Sequence, residues 1–172
     1  MTHINIEIKA RCSDQEALRA ILKSKNANFR GVDNQIDTYF NVNSGRLKLR
    51  EGNIENCLIW YERENKKGPK QSNIVLYKST PHSFLKEILT KASGILAIVD
   101  KQREIYFISN VKFHLDSVKD LGTFVEIEAI DADGTLGLPK IREQCDHYLH
   151  LFGIREEDLL NCSYSDMILQ GK

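Results

Sequence analysis

Apolar and polar residues alternate with period two along most of this chain, as they do in strands with one apolar and one polar face. The alternation predicts strands near Ile4–Cys12, Gln35–Asn41, Arg46–Glu51, Cys57–Glu62, Ser72–Ser79, Leu96–Ile108, Val111–Asp116 and Thr123–Ile130. Leu96–Ile108 is long for one strand, which suggests a bend. Three segments follow helical spacing instead. Ser13-Asp14-Gln15-Glu16 reads as a capping box that opens a run with Leu18, Ile21 and Leu22 on one face. Ser83 is placed to cap a second helix carrying Phe84, Ile88 and Leu89 and ending at Gly94. Pro139 suits the first turn of a third, which carries Ile141, Tyr148, Leu149 and Phe152 with Gly153 past its end. About eight strands with few helices predict an antiparallel barrel or sandwich.

Composition narrows the class. A chain of 172 residues without repeats or a low-complexity linker fits one domain, residues 1–172, and is long enough to bury a core. Lys+Arg and Asp+Glu both total 24. Zero net charge weighs against a bulk nucleic-acid or membrane binder, though not against a local basic cavity. No stretch approaches the ~20 apolar residues of a membrane-spanning helix, and no signal-peptide core follows Met1. Cys12, Cys57, Cys145 and Cys162 are far apart and form no CxxC pair, so a zinc site or disulfide framework is not expected. Reduced thiols and a cytoplasmic location follow as expectations. Oligomeric state is open, a homodimer being one option.

The placement of charge along the strands changes the picture further. Residues i and i+2 of a strand share a face. Asn5, Glu7 and Lys9 therefore lie together, as do Arg46, Lys48 and Arg50, then Lys101 and Arg103, then Glu126 and Glu128. A half-solvated sheet is the ordinary meaning of such alternation. Here the signs segregate, acids on the first and last strands and bases between, whereas solvated faces tend to mix them. If the apolar faces pack outward on the helices, the charges converge inside a barrel. Charge there needs a neutralising ligand, and a polyanion with divalent cations would serve. Bases would take phosphate oxygens and carboxylates a hard metal. Both readings stand on pattern alone.

An ordered series of motifs decides between them. Asn5-Ile6-Glu7-Ile8-Lys9 resembles the E-x-E-x-K hallmark of the CYTH superfamily, the triphosphate tunnel metalloenzymes. Gln35 to Phe40, Gly45 to Arg50, Trp60 to Arg63, Pro69 to Ser72 and Val99 to Arg103 follow in order. His114 to Val118, Leu121 to Glu128 and Tyr164 to Asp166 complete the series, which resembles the class IV adenylyl cyclase-like and thiamine triphosphatase-like branch. The resemblance implies an eight-stranded antiparallel closed barrel with helices outside and a tunnel for a small-molecule triphosphate. Carried over, Glu7, Glu126, Glu128, Asp116 and Asn5 would hold Mg²⁺ or Mn²⁺. Lys9, Lys48, Arg50, Arg63, Lys70, Lys101 and Arg103 would line the phosphate path, with Glu7, Lys9, Lys101 and Arg103 nearest the chemistry. Asn5 departs from the hallmark's first Glu, and a neutral amide oxygen is the weaker metal ligand. The implied activity is that of a class IV adenylyl cyclase, making cyclic AMP and pyrophosphate from ATP. The alternatives are a triphosphatase and a non-catalytic triphosphate binder. His114 is a candidate base. Tyr39 and Tyr61 read as packing, and Lys66 and Lys67 as a solvated loop.

Overall fold

The computed structural model describes residues 2–171. Eight antiparallel strands close into a barrel: β1 (Thr2–Arg11), β2 (Asn28–Phe40), β3 (Arg46–Glu51), β4 (Cys57–Arg63), β5 (Lys70–Lys78), β6 (Ile95–Ile108), β7 (Val111–Val118) and β8 (Gly122–Asp131). Around the barrel the order is β1-β5-β4-β3-β2-β6-β7-β8, with β8 pairing back to β1. Closure leaves no strand edge to template a foreign strand.

The apolar face of the alternation points outward. Ile6, Ile8 and Ala10 of β1 join Val111, Phe113 and Leu115 of β7 and Val125, Ile127 and Ala129 of β8. Leu18 and Leu22 of α1 (Gln15–Ser24) and Ile141 and Cys145 of α3 (Leu138–Leu151) bury this surface. In α1 and α3 the face foreseen from spacing is therefore the one used, whereas Phe84 and Ile88 of the foreseen second helix face are exposed. A second, separate cluster also forms. There Tyr164 and Met167 of a short α4 (Tyr164–Leu169) pack with Tyr39, Val99, Val118 and Phe124. The remaining helix, α2 (Leu85–Ser93), buries none of its residues.

Several boundaries differ from those predicted. β2 begins seven residues before Gln35, because Gly31 absorbs a register shift that breaks the alternation there. Its φ of 124° is one that only glycine adopts without strain. Asp14, not Ser13, caps α1, accepting from Ala17 N at 3.0 Å. Ser83 lies outside α2, which starts from Phe84 without a side-chain cap. Pro139 does occupy the first turn of α3. At six residues α4 is too short to show periodicity, but its Ser163–Asp166 capping box is complete.

Candidate active site

The second face of each strand points into the barrel, and strand register brings the charged residues level with one another. Glu7 of β1 stands opposite Glu128 of β8 and Lys70 of β5. Lys9 is level with Glu126, which is level with His114 of β7. Asp37 of β2 faces Arg50 of β3, and Arg103 of β6 faces Asp116 of β7. The result is a cavity of about 100 Å³ lined by Glu7, Lys9, Lys48, Arg50, Arg63, Lys101, Arg103, Glu126 and Glu128, among others. In barrel order the carboxylate strands β1 and β8 lie across from β3 and β2.

Three carboxylates organise the cations. Asp37, which the sequence reading did not single out, is 1% exposed. It takes Arg50 in a bidentate fork with both contacts at 2.9 Å, Lys101 at 2.7 Å and Lys48 at 3.1 Å. Burial alone would raise its pKa, but Arg50, Lys101 and Lys48 hold it well below the usual carboxylate range. Asp116 holds Arg103 through two contacts of 2.7 and 2.6 Å and accepts the Tyr164 hydroxyl at 2.7 Å. Glu126 pairs with Lys9 at 2.7 Å, Arg103 at 3.1 Å and His114 Nδ1 at 3.0 Å. Burial pushes the His114 imidazole down to about 4, with Arg103 adding to the effect, so at neutral pH the ring is uncharged. Its Nδ1–H donates to Glu126, and Nε2 is buried without a partner.

Lys101 is unusual among the bases. Burial pushes its pKa down to about 7, and although Asp37 opposes this, Arg50, Arg103 and Lys48 crowd it with positive charge. Arg63 ion-pairs with Glu7, while its Nε and Nη2 are buried with no partner. Such donors are costly unless an acceptor reaches them, and a phosphate oxygen is suited to a guanidinium fork.

Three of the proposed site residues are not on the cavity wall. Lys70 is fully buried and donates to Leu160 O at 3.0 Å, tying the chain before α4 to the barrel. Asp116 stands behind Arg103. Asn5, also fully buried, donates Nδ2 to Glu128, and its Oδ1 has no partner. The sequence reading in turn missed Asp37, Glu55 and Lys112. Asp37 shares a face with Gln35 and Tyr39, a polar i, i+2 signal as readable as the others. Glu55 is in a turn, where period-two reasoning does not apply.

Could these residues hold a divalent ion? Glu7, Glu126 and Glu128 lie on adjacent strands. Burial raises the Glu128 pKa, and although Lys112 opposes this, Glu7 and Glu126 add to it. An anion short of positive partners beside the orphaned Asn5 oxygen fits a hard cation. Among the described residues no three His, Cys, Asp or Glu side chains form a ready cluster. Glu7 and Glu126 are turned toward Arg63 and Lys9, so coordination requires them to exchange those partners.

Sequence comparison now supplies the family: the CYTH domain model matches residues 3–160. This chain belongs to the CYTH family. Solved structures agree in fold. A Pyrococcus horikoshii protein superposes with a TM-score of 0.75 at 23% identity, covering 94% of this chain and 98% of that one. A Vibrio parahaemolyticus protein provisionally assigned as an adenylate cyclase gives 0.75 at 19% identity, covering 96% and 98%. A Hippeastrum protein, also provisionally an adenylyl cyclase but with a dominant triphosphatase activity, gives 0.64 at 13% identity, covering 99% and 96%. No curated protein gives a significant sequence match. The described residues include no helix long and apolar enough to cross a membrane.

Proposed function

We propose that this CYTH chain is a metal-dependent triphosphatase that grips the phosphate chain of its substrate inside the barrel. One observation carries the reading. Lys9, Lys48, Arg50, Arg63, Lys101 and Arg103 converge from four strands on the cavity that Glu7, Glu126 and Glu128 also line. The wall thus offers partners for phosphate oxygens along its length, and its apolar part consists of Ile59, Ile74 and tyrosines. Such a lining is accounted for by a phosphate chain alone, with water as the nucleophile and no organic group to recognise.

The chain's own groups have distinct tasks. Arg63 presents two free donors to a phosphate. Arg103 is clamped flat by Asp116 and so meets an anion without losing rotamer freedom. Lys101, Lys48 and Arg50 stand together on Asp37 and balance the charge that builds on a leaving phosphate. A divalent ion, Mg²⁺ or Mn²⁺, held by Glu7, Glu126 and Glu128 with the Asn5 oxygen would supply charge neutralisation and an activated water.

A second reading, adenylyl cyclase, is favoured by the His114-Leu115-Asp116 and Phe124 to Glu128 stretches and by the fold-level likeness to the Vibrio protein. There the ribose 3′-hydroxyl replaces water and attacks the α-phosphorus. Product analysis separates the two. With ATP, inorganic triphosphate and thiamine triphosphate, each with Mg²⁺ or Mn²⁺, a triphosphatase releases orthophosphate. A cyclase yields cyclic AMP and pyrophosphate from ATP alone. Absence of both products from all three would refute either enzyme.

Lys101 gives the binding step a proton signature. At pH 8 a lysine titrating at about 7 is roughly nine-tenths neutral, and a polyanion at its side restores its charge. Triphosphate binding to the wild type should therefore take up about one proton more than binding to Lys101→Met at pH 8. The difference should vanish toward pH 6, where the free lysine is already protonated. Calorimetry in buffers of different ionisation enthalpy reads this directly. Equal uptake by both proteins at pH 8 would remove Lys101 from the phosphate path.

A further inference from the structure

We propose that Glu55 limits the length of phosphate chain the tunnel accepts, by holding Arg50 and Lys112 in ion pairs of its own. The inference rests on the triphosphate reading above and adds a specificity determinant to it.

Glu55 lies between β3 and β4, in a turn anchored to the barrel at several points. Buried Asp33 accepts the backbone N–H groups of Ile54 and Glu55, both at 2.9 Å. Asn56 exchanges two hydrogen bonds with the Gly52 backbone, at 3.2 and 2.8 Å. Gly52 passes so near Asp33 that a Cβ there would lie 2.5 Å from its carboxylate oxygen. Thus fixed, the turn aims the Glu55 carboxylate at Arg50 Nη1, 3.0 Å away, and at Lys112, with Gln35 Nε2 at 3.3 Å.

This anion stands where one cavity gives way to the next. Arg50, Ile59, Ile74 and Glu128 line both the charged cavity and a second one of about 400 Å³. Glu55 lines only the second, together with Lys112, Lys78 and His3. Basic side chains therefore continue beyond Arg50, and a longer polyanion would find partners there if Glu55 did not stand among them. Its carboxylate occupies those cations and repels an incoming phosphate at short range. Specificity built this way works against the wrong ligand rather than for the right one.

The test is calorimetric binding of inorganic triphosphate and tetraphosphate, in metal-free buffer, to the wild type, Glu55→Gln and Glu55→Asp. Glu55→Gln keeps the shape and removes the charge. Glu55→Asp keeps the charge and withdraws it by one methylene. The wild type should favour triphosphate at least tenfold. Glu55→Gln should narrow that preference tenfold or more, chiefly through tighter tetraphosphate binding, and Glu55→Asp should fall between. Thermal melts establish which variants are folded, and either variant alone suffices to read the direction. An unchanged ratio in a folded variant overturns the proposal and leaves the triphosphate reading standing. A wild type that binds neither phosphate brings down that reading and this proposal with it.

Discussion

Asp37→Asn is expected to lower the melting temperature by roughly 6–20 °C and to leave the folded protein dependent on a polyanion. Asp37 is the common partner of Lys48, Arg50 and Lys101, and is itself almost wholly buried. Removing one partner of a buried ion pair costs about 3–5 kcal/mol, because the other charge is left uncompensated. In a domain of this size each kcal/mol moves the melting point by about 2–4 °C, which gives the stated range. The amide is nearly isosteric, so the loss is electrostatic rather than a packing defect. Its pKa is depressed on folding, so the stability Asp37 supplies is full above the ordinary carboxylate pKa and is lost only as pH falls through the lower folded value. The wild-type advantage should thus be complete at pH 7. On the proposed function, triphosphate should replace the missing anion. At a hundredfold excess over Kd it stabilises the wild type by about 2.7 kcal/mol, and it should raise the variant's melting point by more than the wild type's. A variant that melts within ~2 °C of the wild type, far inside the predicted range, would show that the three cations do not depend on Asp37.

The same residue shows how far the sequence carries the structure. Period-two alternation was enough to place eight strands and to put the charged residues of each on one face, because a strand's side chains have only two directions. That this face points into a barrel came from the ordered motif series. Glu7, Lys9, Lys48, Arg50, Arg63, Lys101, Arg103, Glu126 and Glu128 line the cavity. Strand pattern does not say which inward charges neutralise one another. That depends on cross-strand register, which sets Asp37 level with Arg50 and Arg103 level with Asp116. Asp116 was grouped with the metal carboxylates from the family pattern, yet its geometry makes it the holder of Arg103. Glu55 was invisible for a different reason. A turn has no periodicity, and its carboxylate enters the barrel only because Asp33, some twenty residues earlier in the chain, captures the turn's backbone.

Glu126 and Glu128 are two residues apart on β8 and share a face, yet their glutamine variants should behave in opposite ways in the absence of metal. Glu126 answers Lys9, Arg103 and His114, so Glu126→Gln strands buried positive charge and should melt earlier. Glu128 has Asn5 as its close donor, and burial together with Glu7 and Glu126 lifts its pKa above the ordinary value. A carboxyl whose pKa rises on folding contributes stability that is present below its unfolded pKa and lost as pH climbs through the folded one. Above the ordinary glutamate pKa the charge of Glu128 is therefore a net cost to the fold, and Glu128→Gln should melt later than the wild type. Both variants should nevertheless lose metal-dependent turnover by about 100-fold or more, since metal ions supply several kcal/mol of charge stabilisation and each 1.36 kcal/mol is tenfold in rate. Stability gained at the expense of activity is the usual mark of a site strained for its function. Melting curves at pH 7 with a chelator, paired with turnover under saturating Mg²⁺ or Mn²⁺, test the contrast. If Glu128→Gln lowers the melting point as Glu126→Gln does, Glu128 is satisfied as it stands. The case for a cation beside the Asn5 oxygen would then lose its main electrostatic support.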